Sequence, residues 1–240
     1  MRPDNLYFIP NRSANPANLM PYVALHPTHP DLSVSFGQTT FNAEGQEARG
    51  KFFSRVIHWP GGASGVTIGR GYDMGQRTRL QILSELQHAG MSEPEATFLS
   101  GAAGLRGESA RRFVVSKSIE SPIISLPAQR ALFETITTPE IRADVKRILA
   151  KPDLHATYGS VTWEQLKPEV QELVFDLRYR GDYTPETRKR IQPALVSGDL
   201  ALLASVMHDR GYWESRGVPA ERIEQRIAML EPPITLKAVG

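Results

Sequence analysis

The chain has 240 residues, 40% of them hydrophobic and 22% charged, with a formal net charge of +2 and no cysteine. That length buries a sizeable core, as one large domain or two lobes. A charge this small gives no argument for nucleic acid, although a pI near 8.9 does not hinder approach to an anionic polymer. Without cysteine the fold needs no disulfide and has no thiolate chemistry.

Residues 1–35 carry Pro3, Pro10, Pro16, Pro21, Pro27 and Pro30. Such density disfavours helix and predicts an irregular N-terminal extension. A domain over 36–240 follows. Its first part, about 40–75, holds Glu44 and five glycines, at 61, 62, 65, 69 and 71. Glycine is costly inside regular structure, so this density points to tight turns or close backbone approach. We expect a helix ending near Ser54, a strand at 55–58, a Pro-Gly-Gly turn and a second strand at 65–70, a β-hairpin after a helix.

The second part, about 76–240, reads as helices. Arg77–Ala89 sets Leu80, Leu83 and Leu86 on one face, and Gly90 stops it. Ser92 and Glu95 form a capping box for a helix to about Ala102. Glu108–Ser116 is helical. Leu126–Thr137 starts with Pro127 in its first turn, and Thr138-Pro139-Glu140 starts another helix to about Ala150. Thr162–Arg180 is the longest candidate; Leu166, Val170, Leu173, Val174 and Leu177 form its inward face, and Pro168 kinks or breaks it near its start. Helices from Thr184 to about Val196, Leu200–Met207 and Pro219–Leu230 complete the set. One small hairpin followed by many short helices predicts an α+β architecture.

Ala43-Glu44-Gly45, His58-Trp59-Pro60-Gly61-Gly62-Ala63-Ser64-Gly65-Val66-Thr67 and Gly69-Arg70-Gly71-Tyr72-Asp73 together resemble the muramidase domain of pesticin-type bacteriocins. That group is related to tailed-phage lysozymes. The resemblance is specific over about 30 residues. It implies a lysozyme-like fold: a small lobe with the hairpin, a larger helical lobe, and a cleft between them. It also implies cleavage of the β-1,4 bond between N-acetylmuramic acid and N-acetylglucosamine.

Breaking a glycosidic bond needs a proton for the leaving oxygen, and a negative charge or an oriented water on the opposite side. Carboxyl groups serve when their surroundings push their proton affinities apart. Glu44 is the expected general acid, provided that apolar neighbours such as Phe41, Phe52 or Trp59 desolvate it. Thr67, 23 residues later, has a hydroxyl able to orient water. Asp73 is the expected second carboxylate. Phage lysozymes place an aspartate nine residues after the glutamate; here that offset is Phe53, and no Asp or Glu occurs from 48 to 72. Tyr72 is a candidate to stack on or hydrogen-bond a sugar, and Arg70 to grip a substrate carboxylate. Arg180, Asp182 and Tyr183 are candidates for the cleft wall by fold analogy.

The six histidines show no metal-site spacing, and phosphate-binding, dinucleotide and Gly-x-Ser-x-Gly patterns are absent. No cofactor or metal is expected. The expected partner is peptidoglycan, with a monomeric chain, no membrane span and no nucleic acid. By the resemblance, the setting is an antibacterial toxin or secretion-system effector. It would be made in the cytoplasm without a recognisable signal peptide, act in the periplasm of a target bacterium, and be countered by an immunity protein. Two rivals remain: a lytic transglycosylase or chitinase-like glycosidase, and a non-catalytic wall-binding module.

Overall fold

The computed structural model describes residues 29–47 and 53–231. The expected N-terminal extension as far as residue 28, and Phe52, lie outside the described residues. The described residues are mostly helical, with one two-stranded antiparallel sheet among them.

A 3-10 turn at Pro30–Leu32 leads into the short helix α1 (Gln38–Ala43). The hairpin is β1 (Thr67–Ile68) and β2 (Tyr72–Asp73), with Thr67 opposite Asp73 and Ile68 opposite Tyr72. Helices α2 (Arg79–His88), α3 (Glu93–Ser100), α4 (Glu108–Lys117), α5 (Leu126–Leu132), α6 (Thr138–Leu149) and α7 (Pro152–Tyr158) follow. Then come α8 (Pro168–Arg180), α9 (Pro185–Ser197), α10 (Leu200–His208), α11 (Arg210–Glu214) and α12 (Ala220–Leu230).

Several expectations change in detail. The hairpin is shorter than the one read from 55–58 and 65–70. Its turn is Gly69-Arg70-Gly71, and the earlier stretch contributes only a bridge between His58 and Thr67. Ser54 lies in a turn, and among the described residues the helix before the hairpin stops at Ala43. Leu80 does not face the core: it is 78% exposed, while Ile82 and Leu86, one turn apart, are buried. Thr162 caps a 3-10 turn (Trp163–Gln165), not the long helix. Pro168 keeps Lys167 extended, so α8 begins only there. The two helices expected to meet at Thr138 run on as one. A π-helical turn at Phe133–Thr137 joins them, and Thr137 keeps helical angles instead of breaking the chain. The widened turn lies directly before Pro139, where one ladder donor is missing. Capping at Ser92 is as expected, and the helix after Thr184 starts where expected, with the Thr184 hydroxyl accepting from Thr187 N–H at 3.2 Å.

Two apolar cores result. The larger gathers Phe41 from α1, Phe133, Val145 and Leu149, the α8 residues Leu173, Val174, Phe175 and Leu177, and Ile223 and Ile227 of α12. The smaller joins Ile57, Val66, Ile68, Tyr72 and Met74 to Ile82, Leu86, Leu99, Ala128 and Leu132. The hairpin therefore shares its core with α2 to α5, while α1 and the helices after Leu132 build the larger one. A two-residue ladder cannot cover an apolar face by itself. Helix α1 belongs to the larger core, which puts its C-terminal end beside the hairpin tip.

Candidate functional site

Helix α1 is only six residues long, so tertiary contacts hold it. Phe41 is fully buried, and the Thr40 hydroxyl donates to Asp176 Oδ1 at 2.8 Å. Glu44 is its C-cap. Gly45 follows because the chain touches the hairpin there: a Cβ at position 45 would lie 2.3 Å from Arg70 Cζ. Arg70 donates to the Phe41 carbonyl and, at 2.9 Å, to Glu47, and its guanidinium lies 4.1 Å from the Phe41 ring centroid. At the other flank of the turn, Tyr179 of α8 donates to the Arg70 carbonyl at 3.0 Å. The Glu-Gly step and the Gly-Arg-Gly turn are thus two halves of one packing contact.

The Glu44 carboxyl sits at the edge of an ion network built by α8 and α12. Arg222 Nη1 donates to Glu44 Oε1 at 2.9 Å. The same guanidinium grips Asp176 through Nε at 3.1 Å and Nη2 at 2.5 Å. Arg226, one turn further along α12, donates to Asp176 at 2.8 Å and to Asp182 at 2.6 Å. Arg180 closes the set on Asp182 at 2.8 Å. Three carboxylates meet three guanidiniums. The Asp176 side chain is fully buried, whereas that of Glu44 keeps 29% of its surface.

The two carboxyls respond oppositely. Burial raises the Glu44 pKa above the usual carboxyl value; Arg222 offsets part of this and Asp176 adds to it. Burial also pushes on Asp176, but Arg222 and Arg226 together hold it below the usual range. Buried carboxylates facing a paired guanidinium stay ionised; a single shared one leaves Glu44 readier to hold a proton.

Thr67 and Asp73 face one another across the hairpin. Thr67 is buried, and its hydroxyl makes a long 3.4 Å contact with the Gly65 carbonyl. Asp73 is partly exposed, and its two oxygens accept from Gly65 N–H at 3.1 Å and Gly75 N–H at 2.6 Å. Its carboxylate therefore fastens the hairpin base. Glu44 meets the hairpin tip through Gly45 and Arg70. Among the described residues, no hydrogen bond or ion pair links Glu44 directly to Thr67 or Asp73.

The expected substrate-binding residues are mostly inside. Tyr72 is 1% exposed and donates to Glu85 at 2.6 Å. Its ring faces the smaller core, because it stands opposite buried Ile68 on the ladder, so it offers no face to a sugar. Arg70 is buried and spent on Phe41 and Glu47, which removes it as a free grip for a substrate carboxylate. Asp182 and Tyr183 are buried; the first pairs with arginines and the second donates to Gln192 at 3.0 Å. Arg180 keeps 24% of its side-chain surface, with its guanidinium on Asp182 and the Gly217 carbonyl. A cavity of about 190 Å³ lies at the other end of α1, lined by Gln38, Thr39, Glu169, Glu172 and Met229; Glu44 is not part of it.

The sequence reading missed Asp176, Arg222 and Arg226. One signal was available: Asp176 interrupts the apolar run Leu173-Val174-Phe175-Asp176-Leu177, and a carboxylate on a buried face calls for a cation. Arg222 and Arg226 are four apart, beside the apolar stripe of α12. Nothing in the spacing paired them with Asp176, 46 and 50 residues earlier.

Among the described residues, no group of His, Cys, Asp and Glu could hold a metal ion, and no helix is long and apolar enough to cross a membrane. A family model described as Domain of unknown function (DUF8812) matches residues 37–227, most of the chain. No curated protein matches it.

Proposed function

This chain belongs to the DUF8812 family, and we propose that it is a peptidoglycan hydrolase, a muramidase of lysozyme-like fold that cuts between N-acetylmuramic acid and N-acetylglucosamine. One observation carries the reading: Glu44, in the motif the resemblance singles out, is a partly exposed carboxyl at a helix end whose burial raises its pKa above the usual carboxyl value. A general acid needs both properties, a tighter hold on its proton than an ordinary carboxyl and a route to substrate. In this reading Glu44 protonates the leaving oxygen, Thr67 orients the water, and Asp73 supplies the opposing charge while anchoring the hairpin. Arg180 lines the sugar path. The setting that goes with it is an antibacterial toxin or effector acting in the periplasm of a target cell, with an immunity protein as its natural inhibitor.

Asp73 favours a second reading. Both of its oxygens are engaged by backbone amides, which suits a site with one working acid. A lytic transglycosylase works that way, using no water and leaving an anhydro sugar.

Clearing of purified peptidoglycan by wild type and by Glu44→Gln is the test. Lysis by the wild type alone supports catalysis. Binding by both proteins without lysis points instead to a wall-binding module. Mass spectrometry of the products separates a reducing end from an anhydro sugar.

A further inference from the structure

We infer that Arg222, itself oriented by Asp176, is a positioning residue that holds the Glu44 carboxyl for proton delivery. This rests on the hydrolase reading and names how its acid is controlled.

The geometry is asymmetric in a useful way. The Arg222 guanidinium is bidentate on Asp176, through Nε and Nη2, and only Nη1 reaches Glu44. Planar fork-to-carboxylate pairing fixes direction as well as distance. Asp176 is in turn held from both sides, by Thr40 of α1 and by Arg226 of α12. The orientation of Arg222 therefore does not depend on Glu44, whereas the orientation of Glu44 depends on Arg222. The side chain of Arg222 is 7% exposed, so water competes little for the contact.

The contact also decides which oxygen carries the proton. Glu44 Oε1 faces an arginine N–H, which can only donate. The C=O oxygen of a neutral carboxyl is the better acceptor, so the contact favours a neutral Glu44 with its hydrogen on Oε2, which takes no hydrogen bond among the described residues. An acid with one oxygen fixed and the other free presents its proton in one direction. Four neighbours on two helices act on this carboxyl: Arg222 from α12, and Asp176, Tyr179 and Arg180 from α8. Arg222 and Arg180 favour ionisation; Asp176 and burial oppose it.

The experiment is a pH profile of lysis for wild type, Arg222→Gln and Arg222→Lys, beside carbon NMR titration of the Glu44 carboxyl in the same proteins. Loss of the cation lets Glu44 keep its proton to higher pH. The alkaline limb of Arg222→Gln therefore moves up, and kcat falls by about tenfold or more as orientation is lost. Arg222→Lys keeps the charge but not the fork: its limb stays near that of wild type, while kcat remains reduced with KM little changed. Wild-type kcat and an unmoved limb in Arg222→Gln would overturn the inference. If Arg222→Gln does not fold, Arg222→Lys decides alone, and wild-type kcat there overturns it. If the wild type itself lyses nothing, the hydrolase reading fails; an upward NMR titration of Glu44 in Arg222→Gln would still support the contact, and no change would reject it.

Discussion

Tyr179 occupies the space that a side chain at Gly71 would need: a Cβ there would lie 1.7 Å from its hydroxyl oxygen. The backbone at Gly71 also has φ of 92°, a region that costs other residues strain. The hairpin tip is thus shaped to receive α8, and through Arg70 and Gly45 the same contact sets the position of Glu44. Gly71→Ala should destabilise the protein by about 3 kcal/mol, from overpacking and backbone strain together. Tyr179→Phe should cost only about 1 kcal/mol, for one lost hydrogen bond. Urea denaturation of both variants checks the order; equal costs would mean that the clash is relieved elsewhere.

Asp176 is the centre of the ion network. Asp176→Asn leaves two buried guanidiniums short of a counter-charge and should cost about 3–5 kcal/mol. The pH dependence follows from its lowered folded pKa. The unfolded chain binds this proton more readily, so the contribution of Asp176 is fully present above the ordinary carboxyl pKa and is lost as pH falls through its folded value. Stability against urea measured from pH 7 downward should fall in wild type, and the fall should be shallower in Asp176→Asn.

Glu44 has the opposite sign. Its folded pKa is raised, so between the ordinary carboxyl value and the folded one the native state binds more protons, and stability decreases as pH rises. Glu44→Gln cannot titrate. It should abolish lysis yet melt no lower than wild type at pH 7, with the advantage vanishing toward pH 4. A melting temperature well below wild type at pH 7 would show that the Arg222 contact outweighs burial.

Thr67 and Asp73 should separate by their effect on stability. Thr67→Ala should lower the rate of lysis about tenfold or more if the hydroxyl orients water, with little change in melting. Asp73→Asn should lower the rate similarly and also cost about 1 kcal/mol, since one oxygen that accepts an amide N–H becomes a donor group. Full activity in Asp73→Asn, with anhydro products from the wild type, would favour the transglycosylase reading.

Local pattern carried the helices well. Capping boxes, proline in first turns and the apolar face around Leu173 are short-range signals, and most helices lie where those signals put them. The hairpin was legible as a turn-rich ribbon, but its register was not. Glycines at 61, 62, 69 and 71 offered two turns; both form, but the first closes only the His58–Thr67 bridge, while the ladder lies across the second, where Tyr179 and Arg70 pack. Tyr72 shows the same limit: an aromatic beside a motif reads as a sugar platform, and only the ladder pairing with Ile68 turns it inward.

For the site, the sequence by itself determined the candidate acid, the hydroxyl and the later carboxylate, because those residue types at those spacings make a recognisable motif. That Glu44 caps the end of a helix came from the structure, since the pattern alone put the helix end near Ser54. Only the tertiary structure decided the charge environment of Glu44. That environment comes from α8 and α12, more than a hundred residues away along the chain, and burial and Coulomb interactions depend on distance in space, which a linear pattern does not contain.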